Sequence, residues 1–199
     1  MSFAPRSTFI APGLLALLFP VLAHAHVGAG ATHGFLAGIA HPIGGLDHVG
    51  AMVAVGLWAA QLGGRALWAV PLAFVAMMAG GSLLGFGEFG GFALPYAEQG
   101  IAVSVLLLGV LIAAALRLPT GLGAGLVGLF ALFHGYAHGA EMPANTAGLT
   151  YGAGFILATA GLHVAGIVGG QFMQRHSPAI LIRHTGLLIA SYGGYLCLT

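Results

Sequence analysis

Charge is what this sequence most lacks. Among 199 residues there are five arginines, no lysine and four acidic residues. Charged side chains thus make up 5% of the chain, where an ordinary soluble domain has about 25%. So few charges cannot cover a soluble surface, which excludes a soluble enzyme. A net charge of +1 with no basic stretch excludes a nucleic-acid binder. Cys197 is the single cysteine, so a disulfide-stapled secreted domain is excluded. Without lysine there is no P-loop, and ATP hydrolysis by that route is excluded. What is present is 59% hydrophobic, with a mean hydropathy of +1.01. That composition reads as an all-α polytopic membrane bundle in a lipid bilayer. Ten histidines outnumber the charged residues, and they point toward function.

Residues 1–25 read as a secretory signal peptide. Arg6 supplies the positive start, Ile10 to Leu22 a short apolar core, and Ala23-His24-Ala25 a cleavage site. The mature chain is then 26–199, a single transmembrane domain. Cleavage makes His26 the N-terminus, where α-amine and imidazole together are able to chelate a metal. An uncleaved first helix is the alternative.

A bilayer core needs about 20 apolar residues per helix. Six stretches qualify: 34–61, 66–86, 97–116, 120–140, 147–173 and 179–198. Arg65, Arg117, Arg175 and Arg183 fall in alternate connections, and Glu88, Glu98 and Glu141 in the others. Arginine marks the cytoplasmic side. Both mature termini are therefore expected in the periplasm, with the chain in a bacterial inner membrane. Trp58 and Trp68 flank the first cytoplasmic connection and read as interfacial anchors. The small-residue pairs Gly81/Gly85, Gly121/Gly125 and Gly166/Gly170 let helices approach closely, within the chain or in a homo-oligomer.

Two polar clusters interrupt the apolar spans. The first is His41-Pro42-Ile43-Gly44-Gly45-Leu46-Asp47-His48. Proline and paired glycines predict a kinked or broken helix there, and transporters place binding sites at such breaks. His41 and His48 are seven apart and share a face on a regular helix. Asp47, the one acidic residue inside a span, is either a ligand or a partner that orients a histidine. The second cluster, in span 4, is Phe133-His134-Gly135-Tyr136-Ala137-His138-Gly139-Ala140-Glu141. His134 and His138 stack at i, i+4, a spacing suited to metal capture, and Glu141 continues that face. Both clusters fall in the outer half of the membrane. They converge if spans 1 and 4 pack together. Four imidazoles and carboxylates suit Ni(II), Co(II) or Zn(II) and disfavour a thiolate-type copper site. His163, deep in span 5, offers a second site on an exit path or a helix–helix hydrogen bond. His33, at the outer mouth with His26, offers metal recruitment or plain interfacial polarity. Met52, Met77, Met78 and Met142 read as packing, and His176 and His184 as surface groups.

With H-P-x-x-G-x-D-H in span 1 and F-H-G-x-A-H-G-x-E in span 4, the chain resembles the HupE/UreJ family. His41, Pro42, Gly45, Asp47 and His48 match the first motif; His134, Gly135, His138 and Glu141 match the second. The resemblance implies bacterial nickel permeases and accessory proteins linked to hydrogenase and urease maturation. It implies Ni(II) uptake, with cobalt as a possible substrate, no catalytic residues and no organic cofactor. A non-transporting accessory protein or metal sensor is the alternative. An intramembrane metalloenzyme and a haem-binding electron carrier are further readings, although H-E-x-x-H is absent.

Overall fold

The computed structural model describes residues 34–86, 94–142, 146–176 and 179–199. The expected signal peptide, His26, His33 and Glu88 lie outside the described residues. Within them the structure is all helical: α1 Phe35–Gly44, α2 Leu46–Leu62, α3 Ala66–Gly85, α4 Ala97–Ala113, α5 Thr120–Glu141, α6 Thr146–His176 and α7 Ala179–Leu196.

The first expected span is broken, as its composition predicts. Pro42 inside α1 cannot donate to the Gly38 carbonyl, and Gly45 then leaves helical geometry with φ −104° and ψ 121°. α2 resumes at Leu46, and the two pieces meet at a bend of 85°. Three helices, α3, α5 and the 148–176 part of α6, are long and apolar enough to cross a membrane, and the bent α1–α2 pair adds a fourth. α4 is apolar but has 17 residues, short of the usual 20 or so. Each of the six expected spans thus coincides with a helix or the bent pair, while length and apolarity by themselves mark four crossings among the described residues.

α2 is buried on nearly all sides, from Ala51 to Ala60, as a helix apolar all round should be. α6, α3 and α4 pack around it; α5 packs on α3, α7 on α4, and α1 on α6. Glycine makes the tightest contacts possible. A Cβ at Gly81 or Gly85 would meet backbone of α5, and one at Gly135 or Gly139 backbone of α3. Gly166 presses on α2 in the same way, whereas Gly121 and Gly125 have open space beside them and join no helices within the chain. The turn from α2 to α3 uses Gly63 and Gly64 at φ 72° and 52°, a region that side chains disfavour.

The solvent-protein logic of a soluble domain is reversed. Leu72, Leu83, Leu129, Leu157, Val168 and Leu188 point outward, while Ser104, His134, His138, Thr159 and His163 are buried. An apolar exterior this continuous suits lipid. Helix packing also sorts the two ends. The C-terminal ends of α2 and α4 meet the N-terminal end of α7 through side chains that reach the last carbonyls of α4 and the connection just after it. Trp58 Nε1 donates to Leu116 O at 3.0 Å, Gln61 Nε2 to Ile112 O at 3.1 Å and Arg183 Nε to Ala113 O at 2.8 Å. Gly123, near the start of α5, abuts Trp58 and Leu62, and Gly170, near the end of α6, abuts Ala60. Arg65, Arg117, Arg175 and Arg183 therefore gather at one end of the bundle. Trp58, expected at the interface, is instead fully buried, and its indole N–H is satisfied by the Leu116 carbonyl in the connection after α4. Trp68 is exposed, with the Arg65 guanidinium 5.8 Å from its ring.

Candidate metal centre

The break at Gly45 aims two histidines inward from different helix pieces. His41 comes from the last turn of α1 and His48 from the first turn of α2. Their ring centroids are 6.0 Å apart. The regular-helix geometry expected for this pair is not how they meet: an 85° bend lies between them. Gly45 also leaves room. A Cβ there would lie 2.6 Å from Asp47 Oδ1 and 3.2 Å from His48 Nδ1.

α5 delivers the other pair from one helix face, as i, i+4 spacing requires. The His138 ring lies 4.8 Å from His41 and 4.5 Å from His48. The His134 ring, one turn deeper, lies 5.7 Å from His48. Both are buried. The two motifs therefore form one cluster. Ligand nitrogens of His41, His48 and His138 lie within 4.8 Å of one another. Two imidazoles on opposite sides of one ion would hold their nitrogens about 4.2 Å apart at the usual metal–nitrogen distance, so a contraction on the order of 1 Å closes the group on a cation.

Carboxylates sit at the edge of the cluster. Glu141 Oε2 is 3.6 Å from His41 Nε2 and 3.9 Å from His138 Nδ1, and its side chain is 45% exposed. Asp47 Oδ1 is 2.9 Å from His48 Nδ1, a close electrostatic contact whose angle does not meet hydrogen-bond geometry, since His48 Nδ1 has no such partner. Asp47 also lies in the first turn of α2, where a negative charge complements the helix dipole.

The ring nitrogens have little else to bind. Both nitrogens of His48, His138 and His163, and Nδ1 of His134, are buried without a hydrogen-bond partner among the described residues. Gln61 Oε1 is the other such side-chain atom. Orphaned buried polar atoms are costly, about 1–3 kcal/mol each, and a concentration of them calls for a ligand. Histidine-to-histidine ring contacts of 4.5–6.0 Å leave no gap for a haem macrocycle.

Residues without a motif complete the site. Ser104 of α4 hydrogen-bonds to Ile101 O at 2.6 Å, which commits its only proton. Ser104 Oγ must then accept from His134 Nε2, 3.0 Å away. The neutral imidazole is thereby set as the Nε2–H form, with its Nδ1 lone pair bare. Phe155 stacks its ring 4.3 Å from His138 and 5.9 Å from His41, and Tyr151 lies 5.9 Å from His41. Sequence reasoning passed over these three residues. The one available signal was Ser104, a lone hydroxyl in an apolar helix. His163 is not in the cluster; it lies deeper, against Phe74.

Fold and site together define a class: a helical membrane protein with an intramembrane imidazole cluster at a broken helix. Residues 14–196 match the family described as HupE / UreJ protein, and the chain belongs to that family. It is 48% identical over 183 residues to Protein HupE of Rhizobium leguminosarum bv. viciae, covering 92% of this chain and 94% of that protein. No solved structure matches it significantly.

Proposed function

We propose that the protein carries a divalent transition-metal ion, Ni(II) above all, across the bacterial inner membrane from periplasm to cytoplasm. The observation that carries this reading is the cluster of His41, His48 and His138, whose ligand nitrogens lie within 4.8 Å of one another at the break in the first span, with the His134 ring 5.7 Å from His48. In this reading α1–α2, α3, α4, α5, α6 and α7 make six crossings. The arginine-bearing end faces the cytoplasm, and the cluster lies toward the periplasmic side with both mature termini. A hydrated ion reaches Glu141 and Asp47 at the margin and exchanges water for imidazole nitrogens. Borderline donors of this kind bind Co(II), Ni(II) and Zn(II) in graded order. Affinity must stay modest, since an ion held too tightly is not released. Metal delivered this way supplies nickel enzymes such as hydrogenase or urease, and no organic cofactor takes part.

The test is uptake into proteoliposomes that contain this protein alone, comparing Ni(II), Co(II) and Zn(II). Wild type should accumulate Ni(II) with time, and His41→Ala and His134→Ala should not. Folded wild-type protein that binds Ni(II) yet moves no metal would replace transport with an accessory or sensing role.

A further inference from the structure

Below the cluster the buried polar groups continue inward in order. α6 acts as the ruler. Phe155 stands level with His138, their rings 4.3 Å apart. Thr159 follows one turn on and is fully buried, with its Oγ1 directed at Met78 Sδ over 3.9 Å. His163 follows after another turn. Each four-residue step advances about 6 Å along a helix, so His163 lies about 12 Å beyond the level of Phe155.

α5 runs in the opposite direction and reaches α6 where His138 meets Phe155. His138 stands at the upper level and His134 one turn below. α3 supplies the piece between. The Phe74 ring lies 5.5 Å from the His134 ring and 5.0 Å from the His163 ring, edge-on to the latter at 86°. One aromatic ring thus separates the deepest histidine of the cluster from the next imidazole below.

His163 is 1% exposed. Neither of its ring nitrogens has a hydrogen-bond partner among the described residues, so it is not an interhelical hydrogen-bond donor. A histidine kept only for packing on Phe74 leaves a donor and an acceptor unsatisfied, where a phenylalanine or leucine would leave none. His163 also lies on the way to the arginine-bearing end, since Gly166 and Gly170 of the same helix press on α2 between Val53 and Ala60.

We propose that His163 is a second, inner coordination point for the transported ion, reached from the cluster by way of His134 and past the ring of Phe74. This deepens the transport reading and rests on it. The outer cluster captures the ion. His134, with Nδ1 left bare by Ser104, passes it down, and His163 receives it when Phe74 turns aside. Spacing two weak sites along a path lets an ion leave the first without facing bare hydrocarbon.

The experiment uses the full chain and Ni(II) itself. Binding is titrated in detergent, and uptake is followed in proteoliposomes holding a metal-responsive dye. Three variants are compared: His163→Asn, His163→Phe, which restores bulk against Phe74, and His163→Cys, which restores a ligand atom. The Asn and Phe variants should bind Ni(II) within about threefold of wild type, because the cluster is intact, yet take it up at least tenfold more slowly. The Cys variant should regain at least threefold over the Phe variant. Wild-type uptake rates in the Asn and Phe variants would overturn the inner site and leave the transport reading standing. Equal loss in all three variants would show that His163 serves packing, and would also overturn it. Wild-type protein that takes up no Ni(II) would bring down the transport reading and the inner site with it.

Discussion

The two ends of this bundle treat buried polarity in opposite ways. At the arginine-bearing end, Gln61 and Arg183 donate to the last carbonyls of α4, and Trp58 donates to Leu116 O in the connection that follows it. The first two bonds satisfy groups that a helix terminus leaves open and the third pins the connection, so polarity there holds the structure together. At the other end His41, His48 and His138 crowd together, and the nitrogens of His48 and His138 lack hydrogen-bond partners among the described residues. There the fold bears the desolvation of polar groups that do not stabilise it. Within one membrane protein, a satisfied polar side chain reads as architecture, and a set of unsatisfied ones facing each other reads as a receptor.

The contrast is broken most sharply by one substitution at each end. Replacing His138 by Ala should weaken Ni(II) binding by a hundredfold or more. It should cost less stability than an ordinary buried truncation, because the cavity it leaves is offset by the loss of two orphaned atoms. Replacing Trp58 by Ala should do the reverse: a loss of about 3–5 kcal/mol of stability, with the affinity of the surviving folded fraction within threefold of wild type. Calorimetric titration and thermal unfolding of the two variants check both halves, and a Trp58 variant that loses metal binding while folded would erase the distinction.

Acidity offers a second lever at the cluster end alone. An imidazole must be neutral to bind metal, so affinity should fall once acid protonates the cluster. With more than one imidazole involved, the fall in that range should exceed tenfold per pH unit, in titrations carried down to the acid limit of the folded protein. Affinity that stays flat after histidine nitrogen shifts report protonation of the cluster would remove the imidazoles from the binding site.

Ser104→Ala probes the boundary between the two kinds of polarity, since Ser104 is satisfied and yet acts on a ligand. Loss of the hydroxyl frees the His134 tautomer, and affinity should drop about tenfold, the lower range for groups that orient metal ligands. Ser104→Thr should recover most of it. Nitrogen chemical shifts of His134 should report the Nε2–H form in wild type and a mixture in the Ala variant.

The smallest effect belongs to the structural end. Ala115 sits at φ 54° just past α4, a left-handed position where glycine carries no steric penalty. Ala115→Gly should raise stability by up to about 1 kcal/mol, with metal binding unmoved. A drop in melting temperature would mean that the turn tolerates alanine without strain.

Much of this was legible in residue order, and the failures are instructive. Pro42 with Gly44 and Gly45 announced the break, because proline and glycine act through the local backbone. The i, i+4 spacing of His134 and His138 announced a shared face for the same reason. Trp58 misled, since an aromatic near a predicted interface looks alike whether it meets lipid or pins a connection. Phe74 was invisible and Ser104 showed only as a lone hydroxyl, because each meets its histidine at least thirty positions away in the chain.

The sequence by itself determined the solvent, the helices and the place where one of them breaks. So few charges leave lipid as the only medium for so apolar a chain, and periodicity and breakers act over a turn or two. Only tertiary structure decided that two histidine motifs make one cluster, that Ser104 sets a tautomer and that Phe74 divides His134 from His163. Those depend on which helix faces meet, and close packing settles that through glycines such as Gly135 and Gly139, whose missing side chains let α5 press on α3 and carry His134 and His138 into the core.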